Sequence, residues 1–219
     1  MALTRLGLNQ SVNLASNVTG TLPVANGGTA LTSGFVNGNT KGLVHISTTN
    51  ISSGDSEVEL TFSSSYDNYR IVISNAIPDT SGSGTYLKVV VKRSGQSSYD
   101  TSSGNYWLNG YDMYTAANTM NGQGQENQSA GQLLAWNQNN TQYNGNYNII
   151  EVGPVNQVTY HFIDCYSQQL QRGNNSDDGA MSHYHFYHTQ AAALTNIKIL
   201  PNSGNFASGK VLFYGYGES

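Results

Sequence analysis

The chain has 219 residues, of which only 10% are charged, against roughly 25% in ordinary soluble proteins. Its formal net charge is −4, and it contains 24 Gly and 15 Tyr residues. So few charges exclude a helical bundle covered with salt bridges, and the absence of a basic surplus argues against nucleic-acid binding. The composition favours an all-β protein whose surface is made soluble by amides and hydroxyls.

The single cysteine, Cys165, excludes an internal disulfide and a zinc site built on cysteines. We interpret it as a small buried apolar side chain. No apolar run reaches the roughly 18 residues of a membrane span, and the N-terminus lacks the layout of a signal peptide. We therefore expect a chain that is made in a reducing cytosol and does not insert into a membrane.

Residues 1–42 differ from the rest of the chain. Leu and Val recur there among Ser, Thr, Asn and Gly, and the only charged residues are Arg5 and Lys41. Such a segment is too apolar for a flexible linker and too thin to bury a core alone. Pro23 and Asn26-Gly27-Gly28 interrupt any long regular element. We interpret residues 1–42 as an extended arm that docks on another protein or oligomerises with copies of itself.

Residues 43–219 consist of short apolar runs separated by turn residues, which predicts an antiparallel β-sandwich of jelly-roll-like type. Where polar and apolar residues alternate, as in Val58, Leu60 and Phe62, every second side chain is expected to face the core. The predicted strands are Glu57–Phe62, Tyr69–Ser74, Tyr86–Arg93, Tyr147–Val152, Val158–Tyr166, His183–His188, Asn196–Leu200 and Lys210–Tyr216.

Turn residues are dense in the middle of the chain. Asn109-Gly110, Asn121-Gly122 and Asn144-Gly145 are predicted turns, because Asn and Gly tolerate a positive φ. Ala191–Leu194 is interpreted as one short turn of helix. Between Tyr99 and Tyr147 we expect aromatic and amide-rich loops, where recognition residues usually sit.

The sequence carries no enzyme motif. Nucleophile elbows, phosphate-binding loops, dinucleotide-binding glycines and zinc-protease helices are all absent. A glycosidase needs two well-placed carboxylates, and no spacing singles out a pair among the candidates. These candidates are Asp100, Asp112, Glu126, Glu151 and Asp164. We predict that the chain is not an enzyme and needs no cofactor.

Two histidines form a His-x-His pattern in a predicted strand. His183 and His185 should point to the same face, about 7 Å apart, because side chains alternate along a strand. In a threefold trimer such a pair could supply six imidazoles to one metal. The simpler interpretation is a half-exposed polar face with Tyr184 and Phe186 packed inward. We predict no metal site, and keep His183 and His185 as the alternative.

Aromatic side chains are the more informative chemistry. A flat ring on which a sugar can stack, with amides and carboxylates nearby for its hydroxyls, is what a carbohydrate site needs. The alternative is that these rings fill the core and subunit interfaces. The candidate glycan contacts are Tyr106, Trp107, Tyr111, Trp136 and Tyr143.

Three segments resemble bacteriophage proteins. The stretch ASNVTGTLPVANGGT, residues 15–29, is similar to a segment that recurs in tail fibres and related virion proteins. Residues 65–74 and 204–216 resemble strands of phage β-sandwich fibre tips. The resemblance leaves residues 95–195 unmatched, so no binding residue follows from it.

The resemblance implies a homotrimeric virion fibre without the long shaft of many tail fibres. Residues 1–42 would attach to the tail or baseplate, and residues 43–219 would form the tip that touches a host-surface glycan. We therefore expect a short tail fibre that mediates adsorption. The alternatives are a head or collar decoration protein and a polysaccharide depolymerase.

Overall fold

A computed structural model describes residues 42–80, 86–114, 119–132, 146–173 and 176–217. The described residues form two antiparallel β-sheets and no helix, which confirms the predicted all-β sandwich. None of them belongs to a helix that could span a membrane. Apart from Gly42, the predicted arm lies outside the described residues, so its boundary and its role stay predictions.

Twelve strands are seen among these residues. In chain order they are β1 (Gly42–Ile51), β2 (Val58–Thr61), β3 (Tyr69–Pro78), β4 (Leu87–Arg93), β5 (Tyr106–Tyr114), β6 (Thr119–Gln128), β7 (Gly131–Gln132), β8 (Asn146–Gly153), β9 (His161–Gly173), β10 (Ser176–His188), β11 (Leu194–Pro201) and β12 (Phe206–Gly217). The larger sheet has eight strands in the order β1-β12-β3-β8-β9-β10-β5-β6. The smaller sheet has four, in the order β2-β11-β4-β7.

The core lies between the two sheets and follows the alternation of the strands. In β9, Ile163 and Cys165 are buried while Phe162 and Asp164 point to the other side. We call the face of the larger sheet that packs against the smaller sheet the inner face, and the opposite one the outer face. Tyr184, Phe186 and Cys165 are buried, as predicted. The side chains that alternation in the first predicted strands places on the core side are also all buried, namely Val58, Leu60, Phe62, Tyr69, Ile71, Ile73, Leu87, Val89 and Val91.

The side chain of Tyr106 links the two sheets by a hydrogen bond. Its side chain is fully buried on the inner face of β5, where its hydroxyl accepts the N–H of Val91 in β4 at 2.8 Å. The same hydroxyl donates to the carbonyl of Asp100 at 3.0 Å. Both polar groups would otherwise be buried without a partner, which is costly.

Two buried histidines lie next to this contact, with His188 between Tyr106 and His161. His188 Nε2 lies 2.9 Å from Asp100 Oδ2, whose carboxylate also accepts from Arg93 Nε at 2.6 Å. His161 Nε2 lies 2.6 Å from the carbonyl of Ala192. Desolvation by burial lowers the pKa of both imidazoles below the ordinary 6.5, although Asp100 acts in the opposite direction on His188. The folded protein therefore favours both rings in the neutral form.

The predicted turns at Asn109-Gly110 and Asn121-Gly122 are wrong, since these pairs lie inside β5 and β6. Gly110 is a glycine for a different reason. A Cβ there would lie 2.2 Å from the carbonyl oxygen of His183 and 2.8 Å from Cα of Tyr184, so only glycine permits this close approach of β10. Asn144-Gly145 lies outside the described residues.

The loop-rich interpretation of the middle of the chain is corrected in part. β5 and β6 pair as an antiparallel hairpin at the edge of the larger sheet, within the region predicted to be loops. Residues 133–145 lie outside the described part of the chain. The short helix predicted at Ala191–Leu194 is also wrong, because Leu194 is the buried first residue of β11.

Replacement of Tyr106 by Phe tests the connection between the sheets. The Y106F variant leaves the Val91 N–H and the Asp100 carbonyl without the hydroxyl, so we expect a loss of about 1–3 kcal/mol in the free energy of unfolding. Tyr160→Phe, at an exposed position, is the matched control and should change it by less than about 0.5 kcal/mol. Urea unfolding measures both values, and equal stability of the two variants would contradict the role of Tyr106.

The buried histidines predict a pH dependence of stability. As pH falls below 6.5, the unfolded chain binds protons that the folded chain resists, so the free energy of unfolding decreases. Urea unfolding at about pH 7.5 and about pH 5.5 should show a larger loss in the wild type than in the double variant His161→Gln and His188→Gln. An equal loss in both proteins would show that these imidazoles do not cause it.

Candidate functional site

Aromatic rings cross three neighbouring strands on the outer face. Trp107 in β5 is directly opposite Tyr187 in β10, which is directly opposite Phe162 in β9. Trp107 and Phe162 are 47% and 57% exposed, large values for side chains of this size. The rings of Phe162 and Tyr187 meet edge to face with centroids 5.1 Å apart. We call Trp107, Tyr187 and Phe162 the aromatic row.

A second row of polar side chains runs beside the aromatic row. Across five adjacent strands of the larger sheet, Asn109, His185, Asp164, Glu151 and Arg70 are successive cross-strand partners. We call these residues the polar row. Asp164 and Glu151 place two carboxylates directly opposite each other, which is unfavourable for like charges. On their other sides, Glu151 has the guanidinium of Arg70 and Asp164 has the imidazole of His185 as a partner, and these contacts hold the two carboxylates in place.

Glu151 is held by two partners. Arg70 forms an ion pair with it, and the Tyr216 hydroxyl donates to its carboxylate at 2.9 Å. The hydrogen bond to Glu151 is the main cause that raises the pKa of Arg70. The guanidinium also lies 5.8 Å from the centre of the Tyr216 ring. These contacts fix the carboxylate of Glu151 against the sheet.

Asp164 is held by two histidines. Its Oδ1 lies 2.7 Å from His183 Nε2 and 3.0 Å from His185 Nδ1. We call Asp164, His183 and His185 the Asp–His cluster. The prediction that the two histidines share a face is confirmed, since their ring centroids are 4.5 Å apart. Asp164 completes the group because β9 pairs with β10 in this register.

A groove lies beside these rows. It has a volume of about 480 Å³ and is lined by Phe162, Tyr216, Glu151, Asp164 and Gly153 among others. Gly153 faces Phe162 across β8 and β9 and carries no side chain that could cover the ring. A Cβ at Gly153 would lie 2.0 Å from Asn68 Oδ1, so a larger residue there would require the Asn68 side chain to move. The groove therefore has aromatic walls and carboxylates at its side.

This arrangement suits the binding of a polyhydroxylated ligand. Exposed ring faces of the aromatic row can stack against the apolar face of a sugar ring. Carboxylate oxygens of the polar row accept hydrogen bonds from hydroxyls, and the amide of Asn109 can donate and accept. All these groups stand on paired strands, which hold them more rigidly than loops would.

The predicted glycan contacts are divided by the structure. Trp107 and Tyr111 lie on the outer face of β5, and the Tyr111 ring contacts the His183 ring edge-on at 5.9 Å between centroids. Tyr106 is buried in the core, which removes it from the candidate contacts. Trp136 and Tyr143 lie outside the described residues, so their role stays a prediction.

The carboxylate candidates are also separated by burial. Asp100 and Asp112 are buried. The Asp100 carboxylate contacts His188, and the Asp112 carboxylate accepts a hydrogen bond from the Tyr184 hydroxyl at 2.5 Å. Glu126 lies in β6 at the edge of the sheet. Only Glu151 and Asp164 are direct cross-strand partners on the outer face.

Sequence reasoning missed four members of the site. Phe162, Tyr187, Asn109 and Arg70 were not candidates, and the candidate Glu151 was not paired with Asp164. The alternation of β9 and β10 could have placed Phe162 with Asp164, and Tyr187 with His183 and His185, since side chains two residues apart share a face. No local pattern in the sequence indicates which strands lie next to each other in the sheet.

Comparisons with known proteins found neither a protein-family model that matches the chain nor a curated protein similar to it. The resemblance to phage fibre proteins therefore has no support from a family match.

Proposed function

We propose that the chain is a virion protein, a short tail fibre whose β-sandwich adsorbs to a glycan of the host surface. The observation that carries this proposal is the aromatic row beside the polar row on the outer face of the larger sheet. Exposed rings of this size next to fixed carboxylate and amide groups match the needs of a sugar site. The resemblance of residues 15–29 to virion proteins supports the same reading.

The low charge of the chain agrees with this function. Hydrogen bonds between neutral groups and ring stacking are screened by salt far less than ion pairs are. A homotrimer, as proposed for the fibre, would present three copies of the site. Binding of several weak sites at once raises avidity by orders of magnitude, so each site need bind a glycan only weakly.

Ring stacking is tested with two variants of the aromatic row. Trp107→Ala and Phe162→Ala should each weaken binding to purified bacterial capsular polysaccharide or lipopolysaccharide by roughly tenfold, the equivalent of about 1–1.5 kcal/mol from an aromatic contact. Tyr147→Ala is the matched control. This substitution removes an exposed ring that also lies on the outer face, in β8. At about 3.3 Å per residue, Tyr147 lies roughly 20 Å along the strand from Gly153, which faces Phe162.

Binding is measured by biolayer interferometry over a panel of these polysaccharides. If Trp107→Ala and Phe162→Ala both fold and bind with wild-type affinity, the aromatic row is not the glycan-binding site. Release of oligosaccharides from the panel would instead establish a depolymerase, with Glu151 and Asp164 as the carboxylate pair. In that case the proposal of a non-enzymatic fibre fails.

A purely structural role in the head or collar is the second candidate. One observation favours it: Met113, Met120 and Tyr147 are exposed at the far end of the outer face, an apolar surface suited to packing on another protein. Addition of the purified soluble protein to host cells before the phage distinguishes the two candidates. A fibre that binds the receptor should block adsorption of the phage, whereas a decoration protein should leave adsorption unchanged.

The arm is proposed to attach the protein to the tail or baseplate and to its sister chains. A chain that begins at Gly42 keeps all described strands, so it should still fold into a β-sheet protein, as seen by circular dichroism, but fail to join the virion. Immunoblots of purified particles measure incorporation. Normal incorporation of this shortened chain would contradict the attachment role.

A further inference from the structure

The Asp–His cluster has the composition and spacing of a metal site. Three potential ligand atoms, one each from Asp164, His183 and His185, lie within 4.8 Å of one another. Asp164 Oδ1 is 2.7 Å from His183 Nε2 and 3.0 Å from His185 Nδ1. Neighbouring ligands at about 2.1 Å from a metal ion are themselves roughly 3.0–3.4 Å apart, so a small outward shift of the side chains admits an ion.

We propose that Asp164, His183 and His185 bind one divalent transition-metal ion per chain, with Zn²⁺ as a suitable ion. Two imidazoles and one carboxylate form a ligand set that fits Zn²⁺, Ni²⁺, Co²⁺ or Fe²⁺. Mg²⁺ and Ca²⁺ prefer all-oxygen sites and fit this set poorly. The proposal differs from a site shared between subunits, because one chain supplies all three ligands. It does not depend on the proposed glycan binding.

The sheet holds the ligands in place before any ion binds. His185 and Asp164 are direct cross-strand partners, and His183 follows on the same face of β10. The ring of His183 stands between Tyr111 and Tyr166, with centroids 5.9 Å and 6.3 Å away and steep interplanar angles. Ligands that are fixed by paired strands and packed rings lose little freedom on binding, which favours affinity.

The exposure of the cluster leaves room for an ion and its remaining ligands. The side chains of His183, His185 and Asp164 are 28%, 47% and 44% exposed. Water can therefore reach the ion and fill the positions that the protein leaves open, as in sites with three protein ligands. Asn109 and Glu151, the neighbours of the cluster in the polar row, can hydrogen-bond to such waters.

The other histidines of the chain do not compete for the ion. His161 and His188 are fully buried in the core. His45 lies on β1 at the opposite edge of the larger sheet, where its Nε2 is 2.9 Å from the Thr48 hydroxyl. These five are all the histidines in the sequence. His45 therefore serves as an internal control, an accessible imidazole outside the cluster.

The test uses the full chain without a polyhistidine tag, treated with EDTA and then freed of it. Titration with Zn²⁺ in a calorimeter should give one ion per chain, and Mg²⁺ at the same concentrations should give no binding. Asp164→Asn, His183→Gln and His185→Gln should each weaken Zn²⁺ binding by at least roughly tenfold, since even outer partners of metal ligands contribute that much. His45→Gln should bind as the wild type does.

Thermal unfolding controls for the fold and gives a second measurement. Saturating Zn²⁺ should raise the melting temperature of the wild type and of His45→Gln, because binding to the folded state alone stabilises it. The three cluster variants should lose this increase while melting near the wild type in EDTA. Absence of stoichiometric Zn²⁺ binding would overturn the proposal. Unchanged affinity in the cluster variants, or fewer than one ion per chain, would overturn it as well.

Discussion

The alternation of side chains along paired strands determines where the core and the exposed groups of this protein lie. Side chains alternate along each strand, so an eight-stranded sheet must present two faces. The inner face packs against the four-stranded sheet and carries the apolar core, with Tyr106 joining β5 to β4. The outer face has no covering sheet among the described residues. The aromatic row, the polar row and the Asp–His cluster all lie on this outer face.

The same constraint explains how functional groups come together from distant parts of the sequence. Trp107, Phe162 and Tyr187 lie on three strands, and antiparallel register alone makes them neighbours. The two cross-strand carboxylates, Glu151 and Asp164, would repel each other without Arg70 on one side and the histidines on the other. The partners that hold the two carboxylates of the polar row are thus supplied by strand pairing and not by any local motif.

Much of the fold could be predicted from the sequence where a strand has one buried face. The buried side chains of β2, β3 and β4 could be identified because apolar and polar residues alternate along these strands. β1 was missed because it is an edge strand in which only Ile51 is buried. β5 and β6 were missed because Asn-Gly pairs imitate turns, whereas Gly110 is there to let Tyr184 approach.

The site could be predicted only in part. The shared face of His183 and His185 follows from the spacing of two residues, but Asp164 enters the cluster through strand pairing, which no local pattern encodes. Tyr106 and Trp107 are adjacent in the sequence and equally aromatic, yet one fills the core and the other is exposed. Composition identified the right residue types, and the pleat of β5 decides between them.

We propose that the protein recognises its ligand with the outer face of the larger sheet. Hydroxyl-radical footprinting tests it directly, because the radical oxidises exposed aromatic and histidine side chains and a bound ligand protects them. With a polysaccharide that the protein binds, we expect protection of Trp107, Phe162 and His185 and no change at Tyr147 and Tyr160. Protection elsewhere, with Trp107 and Phe162 oxidised as in the free protein, would contradict it.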